Sequence, residues 1–545
     1  MDRESVDTND AASSRLGRRP TLAALAALIL LAILQRYPTD FHARGIDTFY
    51  IAGHAESILT WDRIGWILHP LSYVGLYPAS VPAGGPVMFA NLADLGAIPV
   101  GAAVILTDLV LVCVAALAAF LLGRAVGFQN LGSLVLSGIF ILSARLLVLT
   151  SASASTRAFI ISFVPVLLLV LIRVHRSRKS RSIDLGLLLV LFVLLFLMHR
   201  SALLTVLLLP AYVVAAWLRG WSPKLHDRRI RAGLGGLYLV AMGAMVYAQV
   251  RALIPGPLLL ESDYTSGAIF SGDSLVAIAG NMSLDYATSL GVAAILVPVG
   301  FLVLLFKDPP RFEGMLVLLS LGFLSWVLGQ GQYAILVVLP LLGVFAVVGL
   351  RSLGSRFLLK AEVVAVFGFF LVGATAASGI WMNDRWNSAG GDVILVNEEL
   401  VSTATYLGWR SPGGFFISND WSSASYKIWS LSGNPPLTWS LDPGVIEGVF
   451  LPGDLNVTLL PSGQGLFAIS GALMERTDWV TVMTQDPASP SAQQVLARYD
   501  LRYFVEAHGY ANPSTTFVFL AGVHDRQYRL YSNGAYSIWT LPRAW

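Results

Sequence analysis

Apolar residues in this chain gather into long, nearly unbroken blocks. Eleven can be marked, at 20–35, 97–122, 131–149, 157–172, 183–198, 201–218, 232–250, 286–306, 314–329, 332–350 and 361–380. Most approach the roughly 20 residues that a helix needs to cross a hydrocarbon core. The pattern predicts a polytopic α-helical membrane protein. Three segments between or after the blocks are too long to be turns: 36–96, 251–285 and 381–545.

Composition agrees with the blocks. Of 545 residues, 55% are apolar and only 13% are charged, against about 25% charged in soluble domains. Too few charges remain to coat a soluble surface. One cysteine excludes a disulfide framework and a Cys-rich metal site. A net charge of +3 gives no reason to expect nucleic acid as a partner.

The placement of the charges sets the topology. Lys and Arg cluster at Arg15, Arg18 and Arg19, at Arg173, Arg176, Arg178, Lys179 and Arg181, and at Arg219, Lys224, Arg228, Arg229 and Arg231. Smaller groups are Lys307 with Arg311, and Arg351, Arg356 and Lys360. The positive-inside rule assigns all of these to the cytoplasm. Between two cytoplasmic clusters the chain crosses an even number of times. The apolar run 182–218 is therefore two crossings that turn outside at His199-Arg200, and 314–350 is two more that turn at Gly329–Tyr333. The division is a cytoplasmic tail over 1–19, a membrane domain over 20–380 that includes the outside loop 36–96, and an extracytoplasmic domain over 381–545. The first block has the basic flank of a signal peptide. No small-x-small site follows it, since the chain continues Gln35-Arg36-Tyr37-Pro38, so it is expected to stay as an anchor. Two Asn-x-Ser/Thr tripeptides, at Asn281 and Asn456, fall outside by this topology.

The tail reads as mixed α/β. Gly413–Ser418 and Arg502–Ala507 predict short buried strands, and Ser491–Tyr499 predicts a helix. Arg526–Leu541 predicts a hairpin with Asn533-Gly534 at its turn, a pair that tolerates positive φ at both central positions.

No Walker loop, HExxH or GxGxxG after a strand is present, which removes support for ATP-driven pumping and soluble redox chemistry. The first outside loop is where chemistry can gather. Asp40, His42, Arg44, Asp47, His54, Glu56, Asp62, Arg63 and His69 lie there among Phe41, Phe49, Tyr50, Trp61 and Trp66. If 47–59 is helical, Asp47, Tyr50 and His54 share one face and Glu56 takes the opposite one. The plainer reading is an amphipathic helix lying on the bilayer. Scattered cations near outside helix ends, Arg145, Arg157, His199 and Arg200, run against the charge trend. Guanidinium groups there suit phosphate, which they bind in forked geometry, or they snorkel to lipid headgroups. Asp108, mid-span in the second block and far from the outer loop, reads as a structural hydrogen-bond partner, and Cys113 as packing.

This arrangement resembles the GT-C class of polyprenyl-phosphate-sugar-dependent glycosyltransferases. Within that class it is most similar to archaeal membrane enzymes that use dolichol-phosphate sugars to build surface-protein glycans. The carrying residues are Arg44–Ile58, Trp66–Ser80, Thr150–Phe159, Met198–Ala202 and the terminal LYSNGAYSIWTL. The resemblance implies a GT-C-like domain of about eleven helices, followed by an extracytoplasmic α/β domain in the cell membrane. It also implies a polyprenyl or dolichyl phosphate-linked sugar as donor, and a glycan or glycoprotein as acceptor. In that class the first-loop acid is catalytic, a position that Asp47 matches, with Asp40 second and His54 a candidate neighbour. Two features depart from members that transfer whole oligosaccharides: residues 150–157 contain no acid, and Asn419–Gly433 lacks WWDYG. Both argue against oligosaccharyl transfer and against a metal, so no cofactor is expected.

The chemistry then needs little. A sugar phosphate carries a good leaving group, and phosphate calls for charge stabilisation more than for a general acid. Asp47 would take the acceptor hydroxyl proton, and Arg157, Arg200, His199 and Arg145 would hold the departing phosphate. The rivals are a transporter or lipid-sugar flippase, for which paired inverted repeats are expected and none is seen, and a non-catalytic surface-assembly protein.

The topology has a direct check. A reporter active only outside the cytoplasm, fused after Trp545, is expected to be active. A silent outside reporter together with an active cytoplasmic one would overturn the orientation.

Overall fold

A computed structural model describes residues 17–37, 42–62, 82–177, 180–220, 284–306, 311–324, 331–390, 395–420, 424–437, 458–462, 465–470, 482–509, 517–526 and 528–541, with isolated positions between 229 and 240. Asp40, the stretch 232–250, most of 251–285, the turn at 329–330 and both Asn-x-Ser/Thr tripeptides lie outside the described residues.

The apolar blocks fold as helices. In chain order these are α1 (Arg18–Arg36), α2 (Ile46–Trp61), α3 (Gly84–Gly96), α4 (Val100–Val126), α5 (Asn130–Ile141), α6 (Ala144–Leu149), α7 (Arg157–Arg176), α8 (Arg181–Met198), α9 (Leu208–Gly220), α10 (Val297–Phe306), α11 (Phe312–Leu324), α12 (Gly331–Arg356) and α13 (Ala361–Gly390). Tighter 3-10 stretches, Arg200–Leu207 and Gly291–Leu296, lead into α9 and α10. Both transitions precede a proline, Pro210 and Pro298, whose missing N–H weakens the first turns of an α-helix least. Among the described residues eight helical spans are long and apolar enough to cross a membrane, and α5 and part of α11 are shorter apolar helices.

Two expectations change in detail. The block 131–149 is not one span. It breaks at Leu142-Ser143, where the Ser143 hydroxyl donates to Phe140 O at 2.7 Å, and α6 departs with Arg145 near its start. The loop 36–96 is not merely a loop, since it carries α2, as the spacing predicts, and also α3.

The bundle closes around α12, nearly all of it buried. Lipid-like surroundings give apolar helices no reason to pair by apolarity alone, so small residues that let backbones approach decide the contacts. A Cβ on Gly300 would lie 1.7 Å from Phe345 O, and one on Gly349 would lie 2.4 Å from Leu296 O. These two glycines set the crossing of α10 and α12.

The tail adds α14 (Glu398–Arg410), β1 (Phe416–Ser418), α15 (Ala424–Ser432), β2 (Pro436–Leu437), β3 (Thr458–Ser462), β4 (Gly465–Ser470), α16 (Pro490–Arg498), β5 (Tyr503–Ala507), α17 (Phe517–Arg526), β6 (Arg529–Ser532) and β7 (Tyr536–Thr540). Five strands form one sheet in the order β2-β1-β5-β7-β6, parallel from β2 to β5 and antiparallel beyond. The terminal hairpin forms, one residue out of the expected phase. Asn533 N–H donates to Tyr536 O at 3.1 Å, so Gly534 and Ala535 are the central pair and only Gly534, at φ 92, is left-handed.

The tail is seated on the segment between α1 and α4. α2 packs against α15 with Gly53 beneath the Trp429 indole, where a Cβ would lie 2.4 Å from the ring. Trp429 Nε1 donates to Ser57 Oγ at 2.8 Å. Overpacking of this kind costs about 1–3 kcal/mol. Gly53→Val is expected to lower the melting temperature of the purified protein, while Gly186→Ala, in open space on α8, leaves it unchanged. Equal melting of the two variants would refute the α2–α15 seat.

Candidate active site

The centre of the site is the seven-residue connection Thr150–Thr156 between α6 and α7, made of Thr, Ser and Ala only. A buried irregular segment must have its backbone polar groups satisfied by protein. Here three neighbours supply them, and Arg36 holds the Thr150 side chain. Arg44 N–H donates to Ala152 O at 2.7 Å, Ser153 N–H donates to Asp108 Oδ2 at 2.9 Å, and Ala154 N–H donates to Thr48 Oγ1 at 3.0 Å. Arg36 Nε donates to Thr150 Oγ1 at 2.6 Å, and its Nη2 donates to Ile141 O at 2.8 Å. Ala152 is held at φ 55, a left-handed position that costs a side chain energy and persists only where surroundings impose it.

Asp108 therefore does not lie far from the elements of the loop 36–96. It is two turns into α4, and the connection dips inward to meet it. Its reading as a structural hydrogen-bond partner stands, and its charge also acts on buried Arg36.

The clamp fixes the start of α7. Arg157, its first residue, reaches Asp47 in the first turn of α2, with Arg157 Nη2 3.1 Å from Asp47 Oδ2. The Arg157 side chain is 18% exposed and that of Asp47 is 59% exposed, so the carboxylate faces outward over a mostly buried guanidinium. Thr48, the neighbour of Asp47, is the residue that bonds the connection, so acid and cation are positioned by one network. Both stand at helix N-termini, where the helix dipoles favour added negative charge. Gly45, at φ 95, provides the turn into α2.

The other expected residues spread around this pair. His54 does share the face of Tyr50. Its ring is buried, edge-on to Tyr50 and to Trp429, each with centroids 4.7 Å away. Burial pushes its pKa down to about 3, which leaves the ring neutral. His199 opens the 3-10 stretch, and its Nδ1 accepts from Ser201 N–H at 3.0 Å. The chain just before it is packed against Gly84, where a Cβ would lie 2.7 Å from Leu197 O, while a Cβ on Gly85 would lie 2.5 Å from Thr156 Cγ2. The start of α3 thus ties the end of α8 to the clamped connection. Arg145 interacts electrostatically with Asp285 at the head of the Leu284–Phe306 span. Asp40 and the side chain of Arg200 lie outside the described residues. Among the described residues no group of three His, Cys, Asp or Glu converges to hold a metal.

Sequence reading missed the meeting of Arg36 with Asp108 and Thr150, and the roles of Thr48 and Glu56. The first had a signal: a lone arginine at a helix end and a lone acid in an apolar span each need a partner. Glu56, across the helix from Asp47, accepts a hydrogen bond from Val100 N–H at the head of α4.

Solved proteins share this overall fold. The chain superposes on the Archaeoglobus fulgidus oligosaccharyltransferase tethered with an acceptor peptide with a TM-score of 0.54 at 10% identity, over 90% of this chain and 69% of that one. On ArnT from Cupriavidus metallidurans in the apo state the TM-score is 0.53 at 12% identity, over 96% and 98%. On an arginine-to-serine mutant of the arabinofuranosyltransferase AftD from Mycobacteria it is 0.51 at 16% identity, over 98% and 42%. At such identities the likeness is one of fold, and the fold is that of GT-C glycosyltransferases. No protein-family model and no curated protein matches the sequence.

Glu56 gives the site region a pH signature. Burial raises its pKa to about 7, tempered by the Val100 N–H bond. A raised carboxyl pKa contributes stability that is fully present below the unfolded value and lost as pH rises through 7. His54 acts with the opposite sign, losing stability as pH falls below its unfolded value. The variant difference isolates Glu56: Glu56→Gln is expected to gain melting temperature relative to wild type between pH 5 and pH 8. The gain is bounded at roughly 3 kcal/mol, at about 1.4 kcal/mol per unit. A difference that does not vary with pH would contradict the buried carboxyl.

Proposed function

We propose that this protein is an integral membrane glycosyltransferase that moves a sugar from a polyprenyl or dolichyl phosphate to an extracytoplasmic acceptor, with inversion at the anomeric carbon. The acceptor class is a surface-protein glycan or a lipid-linked glycan, and the sugar is a hexose or pentose. The observation that carries the reading is the outward-facing Asp47 carboxylate held by Arg157 on a clamped connection.

The pair divides the work of the reaction. The acceptor hydroxyl oxygen attacks the anomeric carbon, its proton passes to Asp47, and the bond from that carbon to the phosphate oxygen breaks with its electrons. The polyprenyl phosphate leaves with added negative charge. One oxygen of Asp47 is fixed by Arg157, which leaves the other for the acceptor. Arg157 meets the leaving phosphate, with Arg200 and His199 from the neighbouring turn. The buried His54 ring, packed on Trp429, holds α2 against the tail and so aims Asp47. Support for a lipid phosphate comes from two proteins of like fold. The Archaeoglobus fulgidus AglB has been solved in complex with a dolichol-phosphate, and ArnT from Cupriavidus metallidurans bound to undecaprenyl phosphate.

Transfer of radiolabelled sugar from polyprenyl-phosphate donors, measured in membranes and normalised to protein level, tests the reading. Asp47→Asn keeps shape and removes the base, so a loss of about 10²–10⁴-fold is expected, roughly 3–5 kcal/mol of barrier. Arg157→Ala is expected to weaken donor use and Arg157→Lys to restore it only in part, since the forked geometry is lost. Glu56→Gln is expected to cost far less. Full activity in Asp47→Asn would move the base to Asp40. Absence of transfer by the wild type with every lipid-phosphate sugar would favour the transporter reading.

A further inference from the structure

A second polar site lies at the end of the bundle opposite Asp47. α4 begins beside the clamped connection and runs 27 residues to Val126, about 40 Å at 1.5 Å per residue. At its far end, under the heads and ends of α10, α11 and α12, is a cavity of about 420 Å³. Its polar lining is Arg311, Arg351, Ser352 and Ser355. Its apolar wall includes Val303, Leu304, Met315, Leu318 and Val348.

Among the described residues the charge balance around this cavity is one-sided. Gly127 ends α4 at φ 100, and a Cβ there would lie 3.0 Å from Arg311 Nη1, so the glycine leaves room for that guanidinium. The Arg351 guanidinium lies 5.7 Å from the centroid of the Phe128 ring. Two further arginines serve the helix end itself. Arg124 Nη1 donates to Phe128 O at 3.0 Å, and Arg176 Nη2 donates to Ala125 O at 2.7 Å. Glu313, the acid at hand, is taken by Arg176 Nε at 2.8 Å. Among the described residues neither Arg311 nor Arg351 has an acid as partner. A second cavity, of about 640 Å³, lies on the other side of Arg351 and adds Lys360 beside Leu131, Val135, Leu350 and Val364.

We propose that this end of the bundle binds the phosphate headgroup of an anionic phospholipid between Arg311 and Arg351, with its acyl chain along the apolar wall. Two guanidinium forks match phosphate oxygens, and the Ser352 hydroxyl lies beside them, while that of Ser355 donates to Ser352 O at 2.9 Å. A soluble anion would use the arginines and leave the apolar wall without a purpose. A zwitterionic lipid would bring its own cation against the arginines. The outer side of α10 next to the cavity, with Leu302 and Phe306 exposed, is itself suited to acyl chains. Basic pockets between membrane helices are a known route to headgroup recognition. The site does not depend on the transfer chemistry proposed for Asp47.

The test uses the full chain, purified in detergent and exposed to mixed micelles of phosphatidylglycerol or phosphatidylcholine, with retained lipid counted by native mass spectrometry. Wild type is expected to retain phosphatidylglycerol and not phosphatidylcholine. Loss of each arginine is expected to reduce retention about tenfold, as for a charge-assisted hydrogen bond, so Arg311→Gln with Arg351→Gln abolishes it. Arg356→Gln, outside both cavities, is expected to retain lipid as wild type does. If the Gln pair does not accumulate, Arg311→Lys with Arg351→Lys keeps the charge and is expected to show reduced retention through lost forks. Unchanged retention in the altered pair, equal retention of phosphatidylcholine, or displacement of the lipid by millimolar inorganic phosphate would overturn the lipid site.

Discussion

The site depends on one constraint: the backbone of Thr150–Thr156 is not helical, lies mostly buried among its neighbours, and must still satisfy its hydrogen bonds. An unpaired peptide group away from water costs several kcal/mol. Asp108 and the Thr48 hydroxyl accept from consecutive N–H groups, and Arg44 N–H donates to the carbonyl before them. These partners come from α4, α2 and the segment before α2, so satisfying one short connection locks three parts of the chain together. The Asp47–Arg157 pair is the exposed edge of that lock.

This order of dependence explains the roles of residues that touch no substrate in the proposed reaction. Asp108 and Arg36 are buried charges that would be costly alone. Together they meet the connection from below, where each also has hydrogen bonds to make. Gly53 and Trp429 act from above, where the tail leans on α2 and restrains the helix that carries Asp47. The tail thereby becomes part of the support of the site. At the far end of α4, Arg124 and Arg176 finish the helix, and among the described residues no acid pairs with Arg311 or Arg351, the two arginines of the proposed lipid site.

Much of this was legible in the sequence. All ten apolar blocks within the described residues are helical, because length and apolarity suffice to specify a spanning helix. Asp47 and Arg157, 110 positions apart, were each singled out on local grounds, and the fold brings them to 3.1 Å. What was not legible depends on tertiary partners. The break at Leu142-Ser143 has no proline or glycine to announce it. The helix α3 begins Gly-Gly-Pro, which reads locally as a turn and is used instead for close approach to Thr156 and Leu197. The hairpin turn shifted because the Asn533 amide is engaged elsewhere, donating to Glu399 O and to Ser402 Oγ on α14. Asp108 was judged remote because a sequence cannot show a connection folding inward.

The central claim is that the clamped connection presents Asp47 and Arg157 as one catalytic edge. It is tested most directly by a cryo-EM map of the protein in nanodiscs with a non-transferable polyprenyl phosphonate sugar bound. The account predicts a phosphonate oxygen within hydrogen-bond distance of Arg157, and the anomeric carbon with its acceptor face toward Asp47. The Ser153 N–H to Asp108 bond should be intact in that map. A ligand bound elsewhere, or bound here with the sugar turned away from Asp47, would contradict it.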